Sequence, residues 1–458
     1  MSNVFDIIKQ HTVIVDGGSG VLVQPMTDEY SYILTAKHNL LNDYNNDQSG
    51  VKELSQIDLM TFGDEKLTAI YVYDHQYLDI AVIKIDFRQG IEVYPYQKIP
   101  RADDSVRLYG YPGIKRAAGQ PASDQIENYH LVIHEPLNER ISFRNHDMAP
   151  VEDVKGFSGG GLFHVDEDLD KAFLVGIENA MDSTRALHER VKGIPISAFS
   201  DLLADNGLAP LKPLHLTNFK QLCEHVFPVN YYEHLADFQR KDIDHVVGLI
   251  KRDSECVAKL IESTPLDILT RYRSQLEVTK RDKSELENEA LWCALLELVV
   301  LTSITKRIKS DEIDISTLFD GLFEECRVIY IDSDKHWKTC YEEILTSSTS
   351  HLNSNGKIIL IMGSEPMVGG IIPAEDIGEY VENISSAYAQ DAIDNARRFS
   401  EKKFPIIHWV SLHDQCIFSQ RDDFKQYNSI LQDDEDNNRL LLKKKYQPYL
   451  LPQGGDDD

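Results

Sequence analysis

Short apolar runs alternate with turn-forming residues through the first half of the chain. Each run is rich in Val, Ile, Tyr or Thr, and Gly, Asp, Asn and Pro lie between the runs. Many short strands at this spacing predict a β-barrel or a β-sandwich. The predicted strands are Thr12–Val15, Gly20–Gln24, Tyr32–Thr35, Ala69–Tyr73, Ala81–Ile85, Arg107–Gly110, His130–His134, Gly161–Val165 and Phe173–Ile177.

The pattern becomes helical after the prolines at 210 and 213. From about Asn218 onward, apolar residues recur at spacings of three and four, which is the period of an amphipathic helix. The apolar stretch Ala290–Ile304, interrupted by Glu297, is too short to span a bilayer and predicts a buried helix. We expect a helical regulatory or docking region over residues 213–325. Its predicted helices are Tyr232–Ser263, Leu266–Leu276 and Lys283–Lys309.

A third pattern covers residues 326–450, where apolar strand candidates alternate with helical stretches. The order β-α-β-α-β predicts a small parallel sheet, hence a small α/β region. The last residues, 451–458, end in three aspartates and are predicted to be a disordered acidic tail. The strand candidates are Arg327–Ile331, Lys357–Gly363 and Pro405–Leu412, and the helical stretches are His336–Leu352 and Ala374–Lys402.

Composition and charge narrow the function classes. A length of 458 residues suggests two to four domains. The net charge of −28 disfavours broad electrostatic binding to nucleic acid or to anionic membranes, so neither is an expected partner. The N-terminus lacks a basic stretch followed by an apolar core, and the six cysteines include no C-x-x-C pair. These features predict a cytoplasmic protein without a disulfide framework or a zinc site.

Three segments of the first half carry the residue types of nucleophilic acyl transfer. Thr-Ala-Lys-His ends at His38, Leu-Asp-Ile-Ala-Val contains Asp79, and Gly-Phe-Ser-Gly-Gly contains Ser158. A serine hydroxyl needs a base to take its proton, and an acid behind the base orients it. Glycines around the serine let the N–H groups of Gly156 and Ser158 face a developing oxyanion.

In this order and context, the three segments resemble the trypsin-like serine proteases of the chymotrypsin fold. The resemblance covers about residues 10–205 and implies two packed β-barrels. It also implies a catalytic triad of His38, Asp79 and Ser158, with an oxyanion hole formed by Gly156 and Ser158. The expected fold is therefore multidomain, with an all-β double barrel over residues 1–212 followed by a helical and α/β region.

Two positions depart from the digestive members of that family. Phe157 stands where those enzymes have the aspartate that pairs with a new N-terminus, so that route of activation is unavailable. The specificity-pocket floor would fall at Glu152, which would favour Arg or Lys in the substrate; a solvent-facing Glu152 is the alternative. The resemblance places further substrate-binding residues at Asn179, Ala180, Met181 and Gly193.

The second half offers no evident chemistry. It has no Gly-x-x-x-x-Gly-Lys-Ser/Thr sequence, and His408 and His413 lack a typical ligand spacing, so no cofactor or metal is expected. The overall plan resembles bacterial immune effectors of ABC-three-component (Lamassu-type) systems, in which a helical C-terminal region docks on a sensor ATPase. That resemblance implies a regulatory protein partner of the SMC/ABC type, bound through residues 213–458.

These observations predict a cytosolic, regulated serine endopeptidase that hydrolyses protein substrates. The resemblance to ABC-three-component effectors implies a role in bacterial antiphage defence. The alternative is a catalytically silent, protease-like scaffold that acts as an interaction protein. Labelling by a fluorophosphonate, which requires an assembled site, separates the two hypotheses.

Overall fold

The chain divides into two compact units, Met1–Leu214 and His215–Asp458. The structure is a computed structural model. The residues it describes are 3–43, 49–97, 100–116, 119–136, 140–145, 156–166, 170–181, 190–228, 241–278, 283–306, 315–332, 344, 347–362, 371–372, 404–428 and 432–451.

The first sheet of the N-terminal unit contains seven antiparallel strands. They are β1 (Thr12–Val15), β2 (Gly18–Val23), β3 (Tyr30–Thr35), β4 (Leu59–Met60), β5 (Lys66–Leu67), β6 (Tyr71–Asp74) and β7 (Ala81–Asp86). Their order is β5-β4-β1-β2-β3-β7-β6, and the sheet forms a half-barrel. β1, β2 and β3 keep a continuous register with their neighbours, which brings the end of β3 beside the start of β7.

The second sheet closes on itself. Its strands are β8 (Val93–Pro95), β9 (Ser105–Gly110), β10 (Glu127–Pro136), β11 (Ile141–Asn145), β12 (Gly161–Asp166), β13 (Lys171–Met181) and β14 (Arg190–Pro195). They follow the order β12-β9-β10-β11-β14-β13-β8, and β12 also pairs with β13, so six strands form a closed barrel. β8 adds to this barrel in parallel with β13.

Apolar side chains from both sheets make one shared core. Val21 and Leu34 of the first sheet pack with Phe163 and Leu174 of the second, and α-helical Phe199 lies in the same cluster. The helices of this unit are α1 (Val4–His11), α2 (Ala122–Gln125) and α3 (Ile196–Asp205), with 3₁₀ helices at Lys37–Leu40, Leu54–Gln56 and Gly113–Lys115.

The second unit combines helices with a small sheet. Its helices are α4 (Asp244–Leu260), α5 (Pro265–Leu276), α6 (Glu289–Lys306), α7 (Ile315–Glu325), α8 (Trp409–Cys416), α9 (Arg421–Lys425) and α10 (Gln432–Leu450). Short 3₁₀ helices lie at Leu214–Leu216, Phe219–Leu222, Lys283–Glu287 and Phe418–Gln420. Its strands are β15 (Cys326–Ile331), β16 (Lys357–Met362), β17 (Ile371–Ile372) and β18 (Ile406–His408).

In this sheet β15, β16 and β18 run parallel, and β17 joins β18 as an antiparallel edge strand. The predicted all-β first part and the helical and α/β second part are confirmed. The predicted buried helix is α6, which is apolar on all sides and carries Glu297 in its centre. Within the described chain, no helix combines the length and apolarity that crossing a membrane requires.

Two expectations about the second unit need correction. The third strand was predicted to extend to Leu412, but it ends at His408 and α8 starts with Trp409. The helix predicted from Lys283 is a 3₁₀ helix up to Glu287, and α6 begins at Glu289, where the Asn288 side chain accepts from the N–H of Ala290. The predicted helix Ala374–Lys402, most of His336–Leu352 and the tail from 452 onward lie outside the described residues.

Candidate functional site

His38 and Asp79 come together because β3 and β7 are neighbours. After β3 ends at Thr35, the chain enters the 3₁₀ helix Lys37–Leu40, which carries His38. His38 Nδ1 lies 2.6 Å from Asp79 Oδ2, and the His38 main-chain N–H donates to Asp79 Oδ1 at 2.9 Å. The His38 side chain is 11% exposed and that of Asp79 is 32% exposed. Two bonds to one carboxylate hold the imidazole orientation, as a general base requires.

Lys37, the residue before His38, binds the loop that carries Asp79. Lys37 Nζ lies 2.6 Å from Asp74 Oδ2 and donates to the carbonyl oxygen of His75 at 2.9 Å. Within the loop, the N–H of His75 donates to the carbonyl of Ile80. Lys37 therefore ties the segment before His38 to the start of the turn that leads to Asp79.

Ser158 lies in the turn before β12, so the second sheet contributes it to the site. Its carbonyl oxygen accepts from the N–H of Ser19 at 2.7 Å and from Asn39 Nδ2 at 2.8 Å. Asn39 directly follows His38, and its amide also donates to Thr35 Oγ1 at 3.1 Å. The serine turn is thus bonded to the segment that presents the histidine.

The turn around Ser158 requires glycine at two positions. Gly156 has φ +99° and Gly159 has φ +88°, a region that side chains rarely adopt. A Cβ at Gly159 would lie 1.9 Å from the Ser19 carbonyl oxygen, and one at Gly156 would lie 2.5 Å from the N atom of Gly113. Among main-chain hydrogen bonds within the described ranges, none uses the N–H of Gly156 or Ser158 as donor.

Glu178 is the site residue that the sequence analysis missed. It lies in β13 and is only 2% exposed. Its N–H donates to the Gly160 carbonyl and its carbonyl accepts from the Gly159 N–H, both at 2.8 Å. Burial and the charge of Asp79 raise the pKa of Glu178 to about 8, while a hydrogen bond with Ser158 lowers it. The Glu178 carboxyl group is therefore close enough to Asp79 and Ser158 to interact with both.

A signal for Glu178 was present in the sequence. Glu178 is a carboxylate within the apolar strand sequence Leu174–Ala180, and acidic residues are almost never fully buried without a partner. Such a position marks a candidate site residue. What it faces depends on the pairing of β13 with the serine turn, which the strand pattern alone does not give.

Phe157 anchors the serine turn by burial. Its side chain is fully buried in the core of the closed barrel and lies 5.4 Å, centroid to centroid, from the ring of Tyr129. Gly110 makes room for this ring, because a Cβ at Gly110 would lie 2.8 Å from Phe157 Cδ1. An apolar contact therefore occupies the position where the digestive enzymes use an ion pair.

Other histidines of the first half serve local structure. His11 Nδ1 lies 2.7 Å from the carbonyl oxygen of Ile7 in its own helix. His75 Nδ1 accepts from the N–H groups of Tyr77 and Leu78 at 3.0 and 2.8 Å. Neither is placed against Asp79, which bonds to His38.

The predicted specificity pocket is only partly described. Glu152 lies outside the described residues. Asn179 sits at the irregularity where β13 shifts register against β14, and its Oδ1 is buried without a hydrogen-bond partner in the described part of the chain. The main chain of Ala180 and Met181 continues β13. A Cβ at Gly193 would lie 2.3 Å from Leu162 Cδ1, so this glycine packs tightly.

No metal centre is evident in the described ranges, where no three His, Cys, Asp or Glu residues cluster in a way that could hold an ion. The two histidines considered in the second unit bond to protein groups. His408 Nδ1 lies 2.7 Å from Ser411 Oγ, and His413 lies between Glu297 Oε2 at 3.2 Å and the Tyr446 hydroxyl at 2.7 Å.

Comparisons with known proteins found solved structures and one family model that are similar to parts of this chain. A crystal structure of Rv3671c from M. tuberculosis H37Rv, an inactive serine-to-alanine mutant, matches 44% of this chain and 90% of its own, with 16% identity and a TM-score of 0.33. The active form of the Rv3671c protease matches 46% of this chain and 86% of its own, with the same identity and TM-score. No curated protein matches the chain.

The two-sheet topology of the first unit fits a chymotrypsin-like domain, as the resemblance implied. A family model matches slightly less than half of the chain, from the last strand of the first unit into the second unit. Residues 193–418 match C-terminal domain 4 of the ABC-three component systems, which confirms the resemblance to those systems for this part of the chain.

Proposed function

We propose that the first unit is a serine endopeptidase with His38, Asp79 and Ser158 as its catalytic triad. The observation that carries the proposal is the pair of bonds from Asp79 to His38, at 2.6 and 2.9 Å, beside a glycine turn that presents Ser158. An orienting acid, a largely buried imidazole and a serine on a sharp turn are the parts that acyl transfer needs.

The reaction follows from these roles. Ser158 Oγ attacks the peptide carbonyl carbon while His38 Nε2 takes its proton, and Asp79 stabilises the imidazolium. The N–H groups of Gly156 and Ser158 donate to the oxyanion. The tetrahedral intermediate collapses as His38 protonates the leaving amine. Water then attacks the acyl-enzyme, with His38 taking its proton, and the free serine is restored.

Glu178 supports this charge arrangement while it is neutral. Below about pH 8 its carboxyl group keeps its proton and adds no negative charge near Asp79 and Ser158. A second negative charge there would oppose the oxyanion that forms on the substrate. The proposed activity therefore belongs to the protonated form of Glu178.

Fluorophosphonate labelling of the full-length chain tests the proposal. The wild type should be labelled, Ser158→Ala should not be, and Asp79→Asn should be labelled orders of magnitude more slowly because the wrong imidazole tautomer faces the serine. The matched control is Ser123→Ala, at an exposed serine of α2, which should react like the wild type. An unlabelled wild type would contradict an assembled protease and favour the scaffold function.

We also propose that the protease is an effector whose C-terminal half docks on the ATPase component of an ABC-three component system. The family match over residues 193–418 supports a protein partner from such a system. We propose further that the protein acts in cytoplasmic antiphage defence and that Glu152 gives it a preference for Arg or Lys in the substrate. Co-purification of the full-length chain with that ATPase, with and without nucleotide, tests the docking. No association in either state would contradict it.

A further inference from the structure

The proposed oxyanion hole depends on a peptide that glycine leaves free to rotate. Gly156 has φ +99° and no side chain to restrict it, yet its N–H must face the substrate oxygen. Burial of the Phe157 side chain holds the next residue, but it does not fix the plane of the peptide that joins Gly156 to Phe157, which lies between the two proposed donors. Some other contact must hold that peptide, and with it the turn between the two donors, before substrate arrives, because preorganised donors give the catalytic gain.

Arg116 makes such a contact. Within the described residues no carboxylate pairs with its guanidinium, and burial lowers the pKa of Arg116 to about 10, so it remains charged at neutral pH. Its hydrogen bonds all go to main-chain carbonyl oxygens. These are Gly156 at 3.2 Å, Gly18 at 2.7 Å and Tyr111 at 2.7 Å from Nη2, Asp16 at 3.1 Å from Nη1, and Tyr111 at 3.1 Å from Nε.

Ser19 provides a second donor to the same carbonyl. Its hydroxyl donates to the Gly156 oxygen at 3.0 Å and accepts from the Tyr111 N–H at 2.8 Å. Its main-chain N–H donates to the Ser158 carbonyl at 2.7 Å. Two donors on different elements therefore converge on the Gly156 oxygen, and one of them also holds the nucleophile's own carbonyl.

The segment that carries Arg116 also packs directly against Gly156. The space beside the Gly156 Cα is closed by the N atom of Gly113 and the carbonyl oxygen of Tyr111. The N–H of Arg116 donates to the Gly113 carbonyl at 3.2 Å, which ends the 3₁₀ helix Gly113–Lys115. Rotating the Gly156 carbonyl away would break both donor bonds and leave the Gly156 oxygen and the Ser19 hydroxyl without these partners.

We propose that Arg116 is a positioning residue for catalysis. By binding the Gly156 carbonyl, together with Ser19, it holds the serine turn so that the N–H groups of Gly156 and Ser158 face the oxyanion. It acts through the backbone and does not touch the substrate. This inference rests on the proposed protease function. Arg116 holds the serine turn in a protein that lacks the N-terminal ion pair of the digestive enzymes.

The test measures fluorophosphonate labelling of full-length Arg116→Ala and Arg116→Lys as a function of probe concentration. The maximal labelling rate of Arg116→Ala should fall roughly ten- to hundredfold, toward the effect of losing an oxyanion donor, with the half-saturating concentration within about twofold of wild type. Arg116→Lys should be intermediate, because one ammonium cannot reach the same set of carbonyls. The control is Lys115→Ala, whose ion pair with Glu127 is on the surface.

Two further measurements separate positioning from loss of fold. Added methylguanidinium should restore part of the Arg116→Ala rate, and methylammonium at equal concentration should not. Hydrogen exchange of peptides containing residues 156–163 should be faster in Arg116→Ala than in Lys115→Ala, whatever the activity.

Each outcome decides something specific. If the wild type is labelled and Arg116→Ala reacts at the same maximal rate, the positioning role is wrong and the protease proposal survives. A loss of rate in Arg116→Ala without guanidinium rescue, with Arg116→Lys at the wild-type rate, also overturns the role. If the wild type itself is not labelled, the proposed function fails, and the catalytic role of Arg116 fails with it.

Discussion

Glu178 keeps its proton at a pH where an unfolded glutamate has lost it. Its pKa is about 8 in the folded protein against an ordinary value of 4.5, because burial and Asp79 disfavour the charged form. Between these values the folded state binds one more proton than the unfolded state. Stability contributed by this proton is therefore complete at low pH and is lost as pH rises through about 8.

Glu178→Gln should remove that pH dependence. For the wild type, this group lowers the free energy of unfolding by about 1.4 kcal/mol per pH unit between about pH 5 and 8. The difference in unfolding free energy, variant minus wild type, should therefore grow with pH over this interval. Hydrogen exchange of β13 peptides in a urea series at several pH values measures it. A difference that is constant with pH would mean that Glu178 is already ionised.

At the scale of secondary-structure elements, α6 is organised around one buried carboxylate. Glu297 is fully buried, and it accepts from the main-chain N–H of Phe227 at 2.5 Å and from Trp409 Nε1 at 2.7 Å. Its Oε2 also lies 3.2 Å from His413 Nε2. These bonds join the centre of α6 to α8 and to the segment before residue 229.

Removing this carboxylate should destabilise the second unit. Glu297→Leu leaves several buried donors without an acceptor, so we expect a loss of about 3–5 kcal/mol, the range for breaking a buried charged contact. All three tryptophans of the chain lie after residue 290, so tryptophan fluorescence in urea follows this unit. The matched control is Glu289→Ala in the same helix, where an exposed ion pair with His225 is worth about 1 kcal/mol or less. Equal losses in the two variants would contradict the role of Glu297.

At the scale of the whole molecule, each unit has its own core. The residues that form the candidate site all lie within Met1–Leu214, as do the clusters that fill the two sheets. A domain that buries its own apolar surface can fold alone. The catalytic and docking functions proposed for this chain are therefore separable in principle.

A fragment of residues 1–214 should fold and be labelled by fluorophosphonate at least as fast as the full-length chain. Faster labelling would mean that residues 215–458 restrain the site, and equal labelling would mean that they recruit without restraint. A 1–214 fragment carrying Ser158→Ala is the control for specific reaction. A fragment that lacks a cooperative unfolding transition would contradict the independence of the first unit.

The amino-acid sequence was enough to predict most of the elements and to propose the reacting residues. Short apolar runs bounded by turn residues placed β1 within its observed bounds and most other strands within a few residues, because buried strands are rich in Val, Ile and other apolar residues. The apolar stretch in α6 was likewise predicted to be a buried helix, because a helix that is apolar on all sides must be covered by other elements. His38, Asp79 and Ser158 were chosen from local motifs, since glycines and strand ends mark where a chain can present a reactive side chain.

The surroundings of those three residues follow from the folded arrangement of the chain. Glu178, Arg116 and Ser19 lie far from Ser158 or Gly156 in sequence, and they meet through strand pairing and loop packing. No periodicity encodes such contacts, because they depend on which turn lies against which strand. The bonds that hold the Gly156 carbonyl and raise the pKa of Glu178 are consequences of the folded arrangement, and a single sequence does not reveal them.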